Sequence, residues 1–241
     1  MKSTTGLQNA WVFIRSLLAY NLKIVFAGKF IYFLLAAMAI FFLVSLLNLL
    51  NPDASLNEAD LYYLLLVPGL LIIFYPITFG IQNDLDTRMI EILFGIANYR
   101  YKVWLIRLLM IFLMTLVFLL LLGGLSRLAW SPFPLIRMIT ELMFPLLFLG
   151  CLAFMFSTLT RNGYGTAAIM IFLGLMMWIS SEPLAESKWN IFLNPFRIPR
   201  RISELAWERN ISQNRLYMMV GSVITLLTGL LQLQKREKFM R

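Results

Sequence analysis

The chain has 241 residues, of which 60% are apolar and only 14% charged, with a net charge of +9, no histidine and one cysteine. Soluble domains carry about 45–50% apolar and about 25% charged residues, so this chain has too little polar surface to coat a globule in water. Without histidine there is no imidazole ligand, base or proton switch, and Cys151 alone excludes an internal disulfide and a cysteine metal cluster.

The order of the chain is that of an all-α membrane protein. Residues 1–29 carry Trp11, Ile14, Leu18, Leu22 and Val25 at spacings of three and four, with Arg15 and Lys23 off that stripe. This pattern predicts an amphipathic helix lying along the membrane surface. Polar breaks at Arg15, Asn21 and Lys23 and the lack of a small-residue cleavage site argue against a cleaved signal, so the chain is expected to be retained whole.

Six apolar stretches follow, each close to the roughly 20 residues that a bilayer-crossing helix needs. They cover residues 30–50, 61–81, 103–124, 137–158, 164–181 and 216–233, and form one domain over 30–241. Pro68, Gly69 and Pro76 lie in the second. Prolines bend spanning helices, so these three residues are candidates for shaping a conduit. Arg107 lies one turn inside the third span, either as an interfacial cation on lipid phosphate or packed on the preceding segment. Glu141 lies near the start of the fourth, four residues after Arg137, and a local Arg137–Glu141 pair is expected there. Met170, Met176 and Met177 in the fifth span are weaker candidates for an apolar path.

Lys and Arg at the span ends set the orientation. With both termini inside, thirteen of the 21 cations fall on the cytoplasmic side, and the first outer loop carries Asp53, Glu58 and Asp60 with no base. The bias places both termini in the cytoplasm. The net positive charge is then for anionic membrane lipid, not for nucleic acid. The segment 182–215, with Arg200 and Arg201 and broken by Pro183, Pro195 and Pro199, is the one outer segment that runs against this bias.

The connection between spans two and three is the densest polar island between helices, running from Gln82 to Glu91. As a helix over 83–97 it places Asp84, Arg88 and Glu91 on one face and Ile90, Leu93, Phe94 and Ala97 on another. One face packs on the bundle and the other presents charge to the cytosol. No Gly-x-x-x-x-Gly-Lys-Ser/Thr, no Gly-x-Ser-x-Gly and no metal-ligand cluster is found, so neither catalytic nor metal-binding residues are expected.

This island resembles the first cytoplasmic coupling helix of permeases in the ABC type-2 exporter family. Asp84 and Asp86 take that motif's first two acidic positions, Glu91 the third, Leu93 and Phe94 the apolar pair, and Arg107 the later basic position. Leu85, Arg88, Met89 and Ala97 depart from it. The layout is also similar: a surface helix, six spans, a short turn over 159–163 and a partly re-entrant outer segment over 182–215, where Asn194-Pro195-Phe196 resembles the family's proline-containing stretch.

The resemblance implies a permease subunit of an ATP-driven exporter in a bacterial inner membrane. It implies a dimer with a second permease copy or a homologous permease, and a separate P-loop ATPase subunit that holds the ATP and magnesium. Asp84, Asp86, Arg88, Glu91 and Arg161 would then meet that ATPase. The alternatives are an ion-coupled carrier or channel, which needs a polar midplane site, and a membrane-embedded enzyme or assembly scaffold working from Glu182, Glu186, Glu204 and Arg200.

Overall fold

A computed structural model describes residues 30–50, 56–88, 100–130, 132–199 and 202–233. The expected surface helix over 1–29 and Glu91, with most of the 83–97 segment, lie outside the described residues. The described chain is all helical, with six α-helices and no strand. They are α1 (Phe30–Leu49), α2 (Glu58–Asp86), α3 (Ile106–Ala129, preceded by a π-helical turn Arg100–Leu105), α4 (Leu135–Thr160), α5 (Gly163–Ile179) and α6 (Glu204–Gln232). Five of them, all but α5, are long and apolar enough to cross a membrane.

The helices alternate in direction, and side-chain pairs at both ends show it. Along α2 and α3, Asp84 meets Arg107 at one end, and Leu65 lies beside Gly123 at the other, so the two are antiparallel. Gly69 against Leu146, and Thr78 bonded to Ser157, make α2 and α4 parallel. Glu141 with Arg215, Phe148 with Gly221 and Phe154 with Gly229 make α4 and α6 parallel too. Helix α5 has 17 residues, a rise of about 26 Å. It still joins the two ends, because Gly163 meets Gln82 while Trp178 meets Tyr63. Helix α2 packs on α1, α3, α4 and α5, whereas α6 packs chiefly on α4.

Local sequence explains where the helices begin and stop. Asn57 and Asp60 form a reciprocal capping box at the start of α2. Asn162 caps α5 through the Gly165 N–H, and Ser203 caps α6 through Ala206. Hydroxyls inside the helices mostly bond back to their own carbonyls, as Thr115 does to Ile111 and Ser222 to Met218. Ser157 is different: its Oγ reaches 3.1 Å across to the Thr78 carbonyl.

Pro68, Gly69 and Pro76 are all buried in an unbroken α2. They face neighbouring helices: a side chain at Gly69 would press on Leu146 and Leu119. An apolar surrounding offers a broken backbone nothing to bond to, so the helix continues through both prolines. The close α4–α6 approach depends on Gly229, where a Cβ would stand 2.8 Å from the Phe154 ring and 3.4 Å from the Met155 backbone. Gly124 faces open space. Gly229→Leu should therefore cost about 1–3 kcal/mol through overpacking and lower the melting temperature of the purified protein. Gly124→Leu should leave it unchanged, and equal melting of the two variants would refute the close approach.

Candidate functional site

Polar chemistry gathers at the two ends of the bundle, each built around a buried ion pair. At the first end, Arg107 Nη1 donates to Asp84 Oδ2 at 2.9 Å, with both side chains at most one-tenth exposed. The Arg107 guanidinium also lies 4.6 Å from the centre of the Trp104 ring, which packs on Phe154 of α4. Of the two readings open for Arg107, it therefore takes the second: it packs on the segment before it.

A second tie at this end joins α2 to the α4–α5 turn. The Gly163 N–H donates to Gln82 Oε1 at 2.6 Å, and a Cβ at 163 would collide with Phe79 and Gln82. Arg161 closes α4 in the left-handed conformation, with φ 56°. The last turns of α2 and the turn at Arg161 are thus held side by side.

The helix expected over 83–97 does not begin at 83. Residues 83–86 are the last turn of α2, which stops at Thr87, and Arg88 turns left-handed with φ 54°. Thr87 Oγ1 bonds the Asn83 carbonyl, and the Arg88 N–H bonds that of Leu85. Asp84 and Arg88 therefore do not share a helical face. Asp84 is buried in its ion pair, while Asp86 and Arg88 are exposed.

At the opposite end the chain between α5 and α6 folds back into the bundle. Phe192, Leu193, Asn194 and Pro195 are buried. Phe192 shares a cavity with Gly174 and Ile171, about two turns inside the end of α5. Irregular backbone at such depth survives only if protein groups satisfy it. Here the first half of α6 supplies them. Asn214 Nδ2 donates to the Lys188 and Asn190 carbonyls, each at 2.8 Å, and Arg215 Nη2 to the Leu193 carbonyl at 3.3 Å. Trp207 Nε1 donates to Pro195 O, and Asn210 Nδ2 to Glu186 O. Asn194 ties the segment to α2 through the Ala59 carbonyl, and Asn190 reaches Ser181 O.

Arg215 anchors this arrangement. Its Nε donates to Glu141 Oε2 at 2.7 Å and its Nη1 to Asn214 Oδ1. The expected Arg137–Glu141 pair is therefore replaced: Arg137 lies over the Phe196 ring, 5.8 Å from its centre. Arg215 wins because it approaches Glu141 from the neighbouring helix and bonds the inserted segment with the same fork. The apolar stretch alone, beginning at 216, leaves Arg215 outside a helix. The missed signal is the spacing of Trp207, Asn210, Ile211, Asn214, Arg215 and Met218, which is one helical face carrying both donors and apolar groups. Of the three methionines, Met170 lines the cavity beside Phe192, Met177 is partly buried, and Met176 is exposed.

The two pairs differ in completeness. Every nitrogen of Arg215 has a partner. Among the described residues, Arg107 Nε and Trp104 Nε1 are buried without an acceptor. Among the described residues, no group of His, Cys, Asp or Glu is placed to hold a metal ion.

Arg215→Met should strip Glu141 and the Leu193 carbonyl of their partner. Breaking one side of a buried pair costs about 3–5 kcal/mol, so the melting temperature should fall sharply and proteolysis within 181–199 should accelerate. Arg137→Met should change neither, and the reverse ranking of the two variants would contradict the assignment. Comparison of the chain with family models, with curated proteins and with solved structures finds no match, which leaves the geometry of the two ends as the ground for assigning a function.

Proposed function

We propose that this chain is the permease subunit of an ATP-driven exporter. It works as a dimer with a second permease copy or a related permease, and a separate P-loop ATPase binds on the cytoplasmic side. ATP and magnesium belong to that partner. In this reading the Asp84–Arg107 end faces the cytoplasm of a bacterial inner membrane and the inserted 181–199 segment faces outward.

The observation that carries the reading is the joining of the end of α2 to both the α4–α5 turn and the start of α3. The Gln82–Gly163 bond fastens the end of α2 to the α4–α5 turn, and Asp84–Arg107 fastens it to the start of α3. A push delivered at this end is then felt by four helices at once. The exposed Asp86 and Arg88 and the partly exposed Arg161 stand at that junction as the contact groups. The unfilled donors on Arg107 and Trp104 also favour this end as the one that rearranges, since a partly satisfied polar cluster loses less on moving.

The burial of Asp84 decides which variants are informative. Asp84→Lys would set two cations together inside the bundle and destabilise it. Asp86→Lys with Arg88→Glu changes exposed charge and gives up one long bond, 3.4 Å from Gln82 Nε2 to Asp86 Oδ2. Affinity purification in mild detergent should recover a P-loop ATPase with vanadate-sensitive hydrolysis. The exposed double variant should lose both while keeping the parent melting temperature. Purification of the parent chain alone, with no hydrolysis, would remove ATP coupling from consideration.

A further inference from the structure

Two cavities lie on either side of the inserted segment, and they differ in chemistry. The inner one, about 180 Å³, is lined only by apolar groups of α2, α4 and α5, among them Phe74, Gly150, Met170 and Gly174, with Phe192 at its head. The outer one, about 770 Å³, is polar and charged, with Glu182, Glu186 and Arg197 on its wall beside Tyr63 and Trp207. Asn190 and Asn194 face the outer cavity, and Phe192 between them faces the inner. The segment is thus a septum with a polar side and an apolar side.

Both cavities lie along the seam between α2 and α5. Tyr63 borders the outer one, and Leu70, two turns along the same helix, borders the inner. Between them stands a chain of rings: Tyr63 lies edge-on to Trp178 at 5.9 Å, and Trp178 edge-on to Phe192 at 5.5 Å. Ile171, on the wall of the inner cavity, is 54% exposed and belongs to the apolar outer face of α5 with Phe172 and Leu175. A cavity of this size and lining stays free of water and takes up hydrocarbon. It is smaller than the roughly 300–1,000 Å³ that whole ligands occupy, whereas the outer cavity falls inside that range. The inner space therefore suits a length of alkyl chain and not a complete molecule.

We infer that the two cavities are the tail and head subsites of one site for a single-chain zwitterionic amphiphile. The tail enters from the bilayer between α2 and α5. The head is held in the outer cavity, its cationic group toward Glu182 and Glu186 and its anionic group toward Arg197. Phe192 and Trp178 form the closure between the two. As a cargo site this rests on the exporter reading. As a binding site it stands without it.

The test uses the full chain in nanodiscs of saturated phospholipid, with no ATP and no ATPase, so its failure is separate from failure of the ATPase partnership. The probe is lysophosphatidylethanolamine with a diazirine in its acyl chain, and adducts are mapped by mass spectrometry. Labelling is expected at Phe74, Met170 and Ile171. Gly174→Phe should fill the space and reduce that labelling about tenfold, equivalent to 1.4 kcal/mol of binding. Adducts at the exposed Phe172 and Leu175, outside the cavity, should persist. A Cβ at Gly174 meets no neighbour within 4 Å, and Gly174→Leu makes the same comparison with a smaller group. Phe192→Ala should raise the yield, and Glu182→Gln with Glu186→Gln should lower it. Adducts confined to Phe172 and Leu175, or a pattern that Gly174→Phe leaves unaltered, would overturn the tail site. Equal labelling by a diazirine alkane without a head would overturn the head site.

Discussion

A backbone that leaves the helix inside an apolar bundle must find all its hydrogen-bond partners within the protein, and the 181–199 segment obeys that constraint through α6. Each unsatisfied carbonyl there would cost on the order of 1–3 kcal/mol. The donors come from one face of α6, where Trp207, Asn210, Asn214 and Arg215 donate to five carbonyls of the irregular chain. This explains why the first three turns of a 29-residue helix are polar while the rest is apolar. Those turns serve the inserted segment, and the segment in turn gives them buried acceptors. Glu141 then has a specific purpose: the guanidinium that bonds Leu193 O would otherwise be an uncompensated charge beside Phe144 and Met218.

The other end of the bundle is built differently. Asp84 and Arg107 are buried as deeply as Glu141 and Arg215, but among the described residues they form an ion pair with each other alone, with Trp104 stacked on the cation. A buried pair is worth little as net stability, because desolvation offsets its Coulomb gain unless the remaining donors are filled. Arg215 meets that condition, and Arg107 Nε does not. The Glu141–Arg215 pair acts as a fastener of fixed geometry. The Asp84–Arg107 pair aligns two helix ends without locking them, which suits the end to which the exporter reading assigns the applied force.

The legibility of these ends in the sequence followed the range of the interactions. Helix existence was readable because apolar length is a local property, and the helices begin within three residues of where composition placed them in every case but the sixth. That exception, α6 starting at Glu204 and not near 216, is physical: its polar turns are stabilised by a segment whose depth in the bundle no local pattern reveals. The junction after α2 is the polar island that stands out in the sequence, but residues 83–86 belong to α2, and spacing alone cannot register that Arg88 turns left-handed. Glu141 was recognised as unusual, yet Arg137, four residues away, was a better guess than Arg215, 74 residues away. Periodicity finds neighbours on one helix and is blind to those across a crossing. α2 runs from Glu58 to Asp86 through both Pro68 and Pro76.

Helix α2 is where the two ends meet. Its first turn receives Asn194 from the inserted segment at Ala59 O, and its last turns hold Gly163 and Arg107. Between them it packs on four other helices, so it cannot bend locally without displacing several close-packed neighbours. A rod so held transmits displacement as rigid motion. Movement at Asp86 and Arg88 would reach Ala59 about 40 Å away along the helix axis, and with it Asn194 and the septum. Moving a two-state element from nearly closed to nearly open takes about 5.5 kcal/mol of differential interaction. Because α2 is continuous, that work need not be done at the septum itself: it can be applied at the far end, where the polar cluster is incomplete, and arrive where the chain separates a charged cavity from an apolar one.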